Sequence, residues 1–213
     1  LLANGAAVPR GKAIKLLDIG TGANLIYPII ASQSYNWQVV ATDCDAIALK
    51  AAATIVAANP PLKTNIRIVA QANPQAIFNG VINKTQRFHL TMCNPPFFSS
   101  EAEANAASAR KWANLGKTAP LPRNFAGQQH ELWCDGGELK FVSQMINESQ
   151  HYKLQVGWFS SLISQQKHLP ALKKLLHAVG AVQTQVITMR QGQKVSRILA
   201  WSYLTPGQQR LFT

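Results

Sequence analysis

The stretch "LTMCNPPFFSS" (residues 90–100) sets a side-chain amide, Asn94, against two prolines and an aromatic ring, directly after an apolar run. A tight turn needs Gly, Pro or Asp; it does not need an amide held at a fixed distance from a ring. These groups suit work on the exocyclic amine of an aromatic base. Such an amine is a poor nucleophile, because its lone pair is delocalised into the ring. Acceptors aimed at its hydrogens draw the nitrogen toward tetrahedral geometry. The Asn94 side-chain oxygen and the Pro95 carbonyl can supply two acceptors, and Pro95 and Pro96 stiffen the backbone that carries them. Phe97 offers a face on which a flipped base can stack, worth roughly 1–3 kcal/mol.

A second group is "DIGTGAN" (residues 18–24). Gly20 and Gly22 let backbone come close to a ligand, and the helix that follows would begin with exposed N–H groups. A dinucleotide fingerprint needs a third Gly at position 25, where this chain has Leu25. The pattern therefore fits a nucleoside-bearing cofactor better than a pyrophosphate. Asp43 ends the next apolar run, at the spacing of about twenty residues where a carboxylate accepts hydrogen bonds from both hydroxyls of a ribose. The plainer alternative makes Asp43 a turn residue beside Asp45.

The elements that must position these groups are legible as alternating patterns. "AIKLLDIG", "WQVVATD", "NIRIVAQ", "FHLTMCN" and "LQVGWFSSLIS" read as buried strands. "ANLIYPIIAS" is apolar enough for a helix, with Pro28 leaving its course open. Asp45 caps a helix through Ile47, Ala51, Ile55 and Ala58, stopped by Asn59-Pro60-Pro61. "GGELKFVSQMINES" places Leu139, Val142, Met145 and Ile146 on one helical face. "LPALKKLLHAVG" has Leu169, Leu172, Leu176 and Val179 at helical spacing, Pro170 in its first turn and Gly180 just beyond. "AVQTQVITMR" and "SRILAWSYL" form an antiparallel pair. The expected fold is α/β: a doubly wound, mainly parallel seven-stranded sheet with an antiparallel last strand. Ligand-binding loops then lie outside the carboxyl ends of the strands, where Asp18 to Asn24, Asp43 and Asn94 to Phe98 all fall. Residues 99–135 show no clear periodicity and are too long for a simple connection.

The composition adds a partner class. The chain has 213 residues, 21 Lys+Arg against 9 Asp+Glu and a formal charge of +12, which favours a polyanion such as nucleic acid. The three cysteines lack a CxxC pair, and the five histidines lack metal-ligand spacing. This predicts a reducing compartment, no disulfide framework and no metal site. No apolar run approaches the ~20 residues needed to span a bilayer. Arg10 and Lys12 follow the opening apolar residues rather than preceding them, unlike a signal peptide. The chain begins without Met, so it reads as one catalytic domain, residues 1–213, that lacks an upstream segment.

"LLDIGTGANLIYP", "ATDCD" and "CNPPFF" together resemble class I S-adenosylmethionine-dependent methyltransferases of the adenine-N6 type. "CDGGELKFVSQMI", "WFSSLISQQKHLPALKKLL" and "QGQKVSRILAWSYL" narrow the resemblance to the bacterial 23S ribosomal RNA adenine-N6 methyltransferases, related to the eukaryotic enzyme acting on U6 small nuclear RNA. The resemblance covers residues 1 to about 204. It implies that Gly20, Gly22 and Asn24 line the methionine and ribose part of S-adenosylmethionine, with Asp18 and Asn94 also touching the cofactor. It further implies that Asp43 holds the ribose hydroxyls and that Asn94, Pro95, Pro96 and Phe97 form the target-adenine site. Arg110, Lys111 and Arg123 follow the catalytic loop and would contact RNA. Lys167 is counted with them and corresponds, by the same resemblance, to a loop gating the cofactor pocket in the eukaryotic relative. One departure stands out: "AQANPQAIF", after the third strand, lacks the acidic residue with which many class I enzymes contact the cofactor's adenine.

The implied protein is a cytoplasmic monomer acting on 23S ribosomal RNA or on a large-subunit assembly intermediate. Two rivals remain. One is methylation of a glutamine side-chain amide, which uses a related loop typically ending in Tyr where this chain has Phe97. The other is an RNA-binding protein that keeps the fold without catalysis.

Overall fold

The apolar runs become seven strands: β1 (Lys15–Ile19), β2 (Gln38–Asp43), β3 (Ile66–Ala70), β4 (Phe88–Cys93), β5 (Val156–Ile163), β6 (Gln183–Gln191) and β7 (Lys194–Ser202). The computed structural model describes residues 1–3, 5–103, 105–106, 133–192, 194–210 and 212. The strands form one sheet in the order β3-β2-β1-β4-β5-β7-β6. The first five in that order are parallel. The expected antiparallel pair forms, but β7 inserts between β5 and β6, antiparallel to both. Strand order reverses at β1 and β4, so a crevice opens there at the carboxyl ends.

Helices cover both faces: α1 (Ile26–Tyr35), α2 (Ala46–Ala58), α3 (Pro60–Lys63), α4 (Gly137–Ser149), α5 (Leu169–Ala178) and α6 (Pro206–Arg210). Pro28 does not interrupt α1, because it sits in the first turn, where a missing N–H leaves no helical bond unmade. Asp45 caps α2 by accepting from the Ile47 N–H at 2.8 Å. The face that α2 buries is Ala48 and Ala52, while Ile47 is 58% exposed. Small residues let this helix lie close on the sheet. The left-handed Gly180 ends α5, with its N–H bonded to the His177 carbonyl and the Ala181 N–H to that of Leu176.

Adjacent residues on one strand serve opposite cores, as the period of two requires. Leu17, Phe159 and Trp201 pack with Phe78, Phe88, Val142, Met145 and Leu172 under α4 and α5. Leu16, Trp158 and Ala200 pack with Leu25, Ala41 and Ala52 under α1 and α2. Phe159 and Trp201 are paired across β5 and β7 with rings stacked 5.6 Å apart. The Trp201 indole N–H donates to the Ser149 hydroxyl at 3.0 Å, and that hydroxyl also meets the Tyr203 hydroxyl at 2.9 Å. The buried polar atoms of this core are thereby satisfied without breaking its packing. Among the described residues no helix is long and apolar enough to cross a membrane.

Candidate active site

The turn after β1 is tied to the end of β2 by two hydrogen bonds. The Thr21 N–H donates to the Thr42 carbonyl at 3.0 Å, and the Gly22 N–H donates to Asp43 Oδ2 at 2.9 Å. Asp43 Oδ1 accepts from the Asp45 N–H at 3.0 Å. Both oxygens of this carboxylate are thus oriented by backbone, and each keeps a further lone pair for a ligand hydroxyl. Gly20, at φ +67°, and Gly22, at φ +63°, take the left-handed conformation, and a Cβ added at Gly20 would meet nothing within 4 Å. The turn therefore leaves open space beside its backbone. Position 25 is also left-handed, at φ 51°, although it is leucine. The fully buried Leu25 side chain offsets that strain by packing in the core.

Three buried polar atoms at this end have no hydrogen-bond partner among the described residues: Asp18 Oδ1, Thr21 Oγ1 and Thr42 Oγ1. Unpaired buried polar atoms are rare in native structures, and a cluster of them marks a place where a ligand completes the set. Burial pushes the Asp18 carboxyl up from 3.8 to about 7; the adjacent Thr21 side chain, whose geometry falls short of a full hydrogen bond, opposes the rise, and the nearby Asp43 charge adds to it. A cation placed against Asp18 would relieve that cost. The ammonium of a methionine moiety, the hydroxyls of a ribose and the open cradle at Gly20 match these groups. The residues present fit S-adenosylmethionine.

The loop that carries Asn94 is braced on both sides of that residue. The Ser160 hydroxyl of β5 donates to the Thr91 carbonyl at 2.7 Å, extending the β4–β5 pairing by side chain toward the carboxyl end. Asn94 itself is exposed, and its side chain makes no hydrogen bond among the described residues. Pro95 is buried, while Pro96, Phe97 and Phe98 are half-buried. Past the loop, Phe98 forms a parallel bridge with Trp133, and the Cys134 N–H donates to the Phe98 carbonyl at 3.0 Å. Gly137, at φ +61°, packs its α-carbon against this backbone, and a Cβ there would lie 3.3 Å from Phe98 C and Ser99 N. The "GG" before α4 is thus a close-packing device behind the Asn-Pro-Pro-Phe loop.

Sequence reasoning missed Glu138. Its buried carboxylate accepts from the Ser164 N–H at 2.6 Å, from the Ser164 hydroxyl, and from the Gln165 N–H at 3.3 Å, and it meets His168 Nδ1 at 2.8 Å. It fastens the start of α4 to the loop leaving β5. A Glu in the first helical turn is an unremarkable pattern, so no local signal marks this role. Lys167 is exposed on that loop, in a short 3-10 turn (Gln166–His168). By strand order it lies beyond β4 and away from β2, beside the Asn94 side of the crevice. Arg110, Lys111 and Arg123 lie outside the described residues. At the end of β3, where no acid was found, the Gln71 amide is turned to the Asn79 carbonyl at 2.9 Å and holds its own loop. Burial pushes the Cys93 thiol well above its ordinary range, with Asp18 and Asp43 adding to the effect, so this neighbour of Asn94 stays neutral. Among the described residues no group of His, Cys, Asp and Glu has the arrangement of a metal site.

A parallel sheet with its order reversed between β1 and β4, a glycine turn beside a braced carboxylate, and an Asn-Pro-Pro-Phe loop on β4 define a class I S-adenosylmethionine-dependent methyltransferase fold. The sequence matches the model of the family described as "RNA methyltransferase" over residues 1–205, and the chain belongs to that family. It is 52% identical to the ribosomal RNA large subunit methyltransferase F of Psychromonas ingrahamii, over 94% of this chain and 66% of that protein. It is 48% identical to the protein of the same name from Yersinia enterocolitica, over 97% of this chain and 62% of that one. The chain thus spans somewhat less than two thirds of the length of these curated relatives. Among solved structures it resembles the hMettl16 catalytic domain in complex with MAT2A 3′UTR hairpin 1, with a TM-score of 0.74 and 27% identity, over 91% of this chain and 65% of that one. It also resembles the N-terminal domain of human METTL16 in complex with SAH, with a TM-score of 0.68 and 25% identity, over 90% of this chain and 62% of that one.

Proposed function

We propose that the protein containing this chain methylates N6 of one adenine in 23S ribosomal RNA, and that residues 1–213 are its single catalytic domain. The observation that carries the reading is Asn94: an exposed amide without a partner among the described residues, held on a proline-stiffened loop across the crevice from Asp43. S-adenosylmethionine supplies an electrophilic methyl group when bound. Asp43 orients the ribose hydroxyls, and Asp18, Gly20, Gly22 and Asn24 line the rest of the cofactor. Asn94 Oδ1 and the Pro95 carbonyl accept the two N6 hydrogens, which fixes the amine and turns its lone pair toward the methyl donor. Phe97 stacks on the flipped base and Pro96 holds the ring's carrier rigid. The proton leaves after transfer, so no strong base is required. Lys167, together with Arg110, Lys111 and Arg123, contacts phosphates. The protein acts as a cytoplasmic monomer on 23S RNA or a large-subunit assembly intermediate.

The test gives full-length protein methyl-labelled S-adenosylmethionine with unmodified large-subunit RNA and, separately, a protein extract. Label recovered as N6-methyladenosine in the RNA is the expected result. Label in methylglutamine would move the activity to protein. Absence of both label and cofactor binding would overturn the enzymatic reading.

A further inference from the structure

The two ends of the sheet differ in charge. The acids Asp18, Asp43, Asp45, Asp135 and Glu138 all belong to the carboxyl end, on strand exits or at the start of α4. The segments entering β1, β3, β4 and β5 at the amino end, "PRGKAI", "TN", "NKTQR" and "QHYKLQ", contain no Asp or Glu. Glu148, at the end of α4, is fully engaged by the Ile77, Phe78 and Asn79 N–H groups at 2.6–2.8 Å. At this amino end Lys15, Arg67 and Arg87 line a shallow pocket of about 230 Å³ together with Gln38, Gln86 and Phe88. All three cations are exposed, and none pairs with a carboxylate among the described residues. Lys12, Lys63 and Lys84 extend the same face and are also exposed.

Helix dipoles do not account for this cluster. The carboxyl termini of α1, α2, α4 and α5 meet the amino end of the sheet and contribute about half a negative charge each. With the Glu148 carboxylate added, that is roughly three negative charges against six cations. Of the six, Lys63 ends the four-residue α3, but the last turns of α1, α2 and α4 contain no basic residue, so the other cations are not placed to cap helices. Gathering six like charges on one face costs stability unless a polyanion meets it.

We propose that the amino-terminal end of the sheet is a second RNA-binding surface, on which Lys15, Arg67 and Arg87 contact backbone phosphates of the same ribosomal RNA that presents its adenine at Asn94. The inference rests on the ribosomal RNA reading above. Five- and six-residue strands separate the two ends by roughly 17–20 Å before their loops are added. A short single-stranded target cannot reach both ends, whereas a folded RNA domain can. The surface therefore reads the fold of the substrate and takes no part in the chemistry.

The experiment compares full-length wild type with Lys15→Gln/Arg67→Gln/Arg87→Gln on two RNAs: a short oligonucleotide carrying the target adenine, and a long folded domain of 23S RNA. On the long RNA the variant should bind about tenfold more weakly, and its log–log salt slope should fall by about two to three, near 0.9 for each phosphate that is no longer neutralised. On the short RNA, kcat and affinity should match wild type, as should affinity for S-adenosylmethionine. The charge-keeping Lys15→Arg/Arg67→Lys/Arg87→Lys variant should retain the wild-type slope. Wild-type affinity and slope for the triple glutamine variant on the long RNA would overturn the second surface while leaving the enzymatic reading intact. Equal losses for the charge-keeping variant would also overturn it. Failure of wild type to bind or methylate either RNA would remove both.

Discussion

At the end of β2 Asp43 has both oxygens held by backbone N–H groups, and the turn it braces is tied again by Thr21. Asn94, two strands away after β4, is exposed and its amide is held by nothing among the described residues. Under the proposed function the contrast is a division of labour. A cofactor common to every turnover would meet a site finished in advance, where little ordering entropy is left to lose. A nucleotide delivered by a large RNA would meet an amide whose partners arrive with the substrate. What is rigid on that side is the support: the Thr91–Ser160 bond before the loop and the Phe98–Trp133 bridge after it.

If that division is right, substitutions on the two sides should fail in different parameters. The largest effect is expected for Asn94→Ala, which should lower kcat by roughly 10²–10³, as loss of one preorganised polar group does elsewhere. Its cofactor affinity by calorimetry should stay within about twofold, and full activity would remove Asn94 from the site. Asp43→Ala should weaken S-adenosylmethionine binding by about 10²-fold, since two charge-assisted hydrogen bonds are lost. It should also destabilise the fold by about 1–3 kcal/mol, because the Gly22 and Asp45 N–H groups lose their acceptor. Unchanged calorimetric affinity would leave Asp43 as a turn brace only. Gly137→Ala places a Cβ at a left-handed position against Phe98 and should cost about 1–2 kcal/mol. It should lower kcat by about tenfold with normal cofactor binding, which single-turnover kinetics would show.

Asp18→Asn gives the smallest effect on the reaction and the most pH-dependent one. The folded-state pKa, about 7, lies above the ordinary 3.8, so folding favours the protonated acid. That contribution is fully present below about 3.8 and is lost as pH rises through 7. The asparagine variant should therefore melt higher than wild type at pH 8, by less at pH 5, and close to it only below about 3.8, while binding the cofactor severalfold more weakly at pH 8. A lower melting temperature at pH 8 would show that the Asp18 charge is already compensated.

Features with local causes were legible in the sequence. Asp45 as a cap, Pro170 and Gly180 around α5, and the strand ends carrying Asp43 and Asn94 each follow from a few neighbouring residues. The insertion of β7 between β5 and β6 was not, since a hairpin can present either strand to β5. Long-range packing decides it, through the Phe159–Trp201 stack and the Ser149 hydroxyl beneath it. The inward face of α2 depends on how closely a helix sits on the sheet, which favours Ala48 over Ile47. The Asp18 perturbation and the Glu138 clamp likewise exist only once distant segments meet. Of the candidate site, the residue types and their strand ends could be read. Which side chains are held and which are left free could not.

The bridge between Phe98 and Trp133 brings two points far apart in sequence onto neighbouring backbone positions, just past the Asn-Pro-Pro-Phe loop. Closure entropy grows only with the logarithm of the sequence separation, so that distance adds little to the cost of making the bridge. Its consequence is local. The backbone leaving Phe97 takes its position from the residues that lead into α4, so a shift at the start of that helix is passed on to the loop after β4.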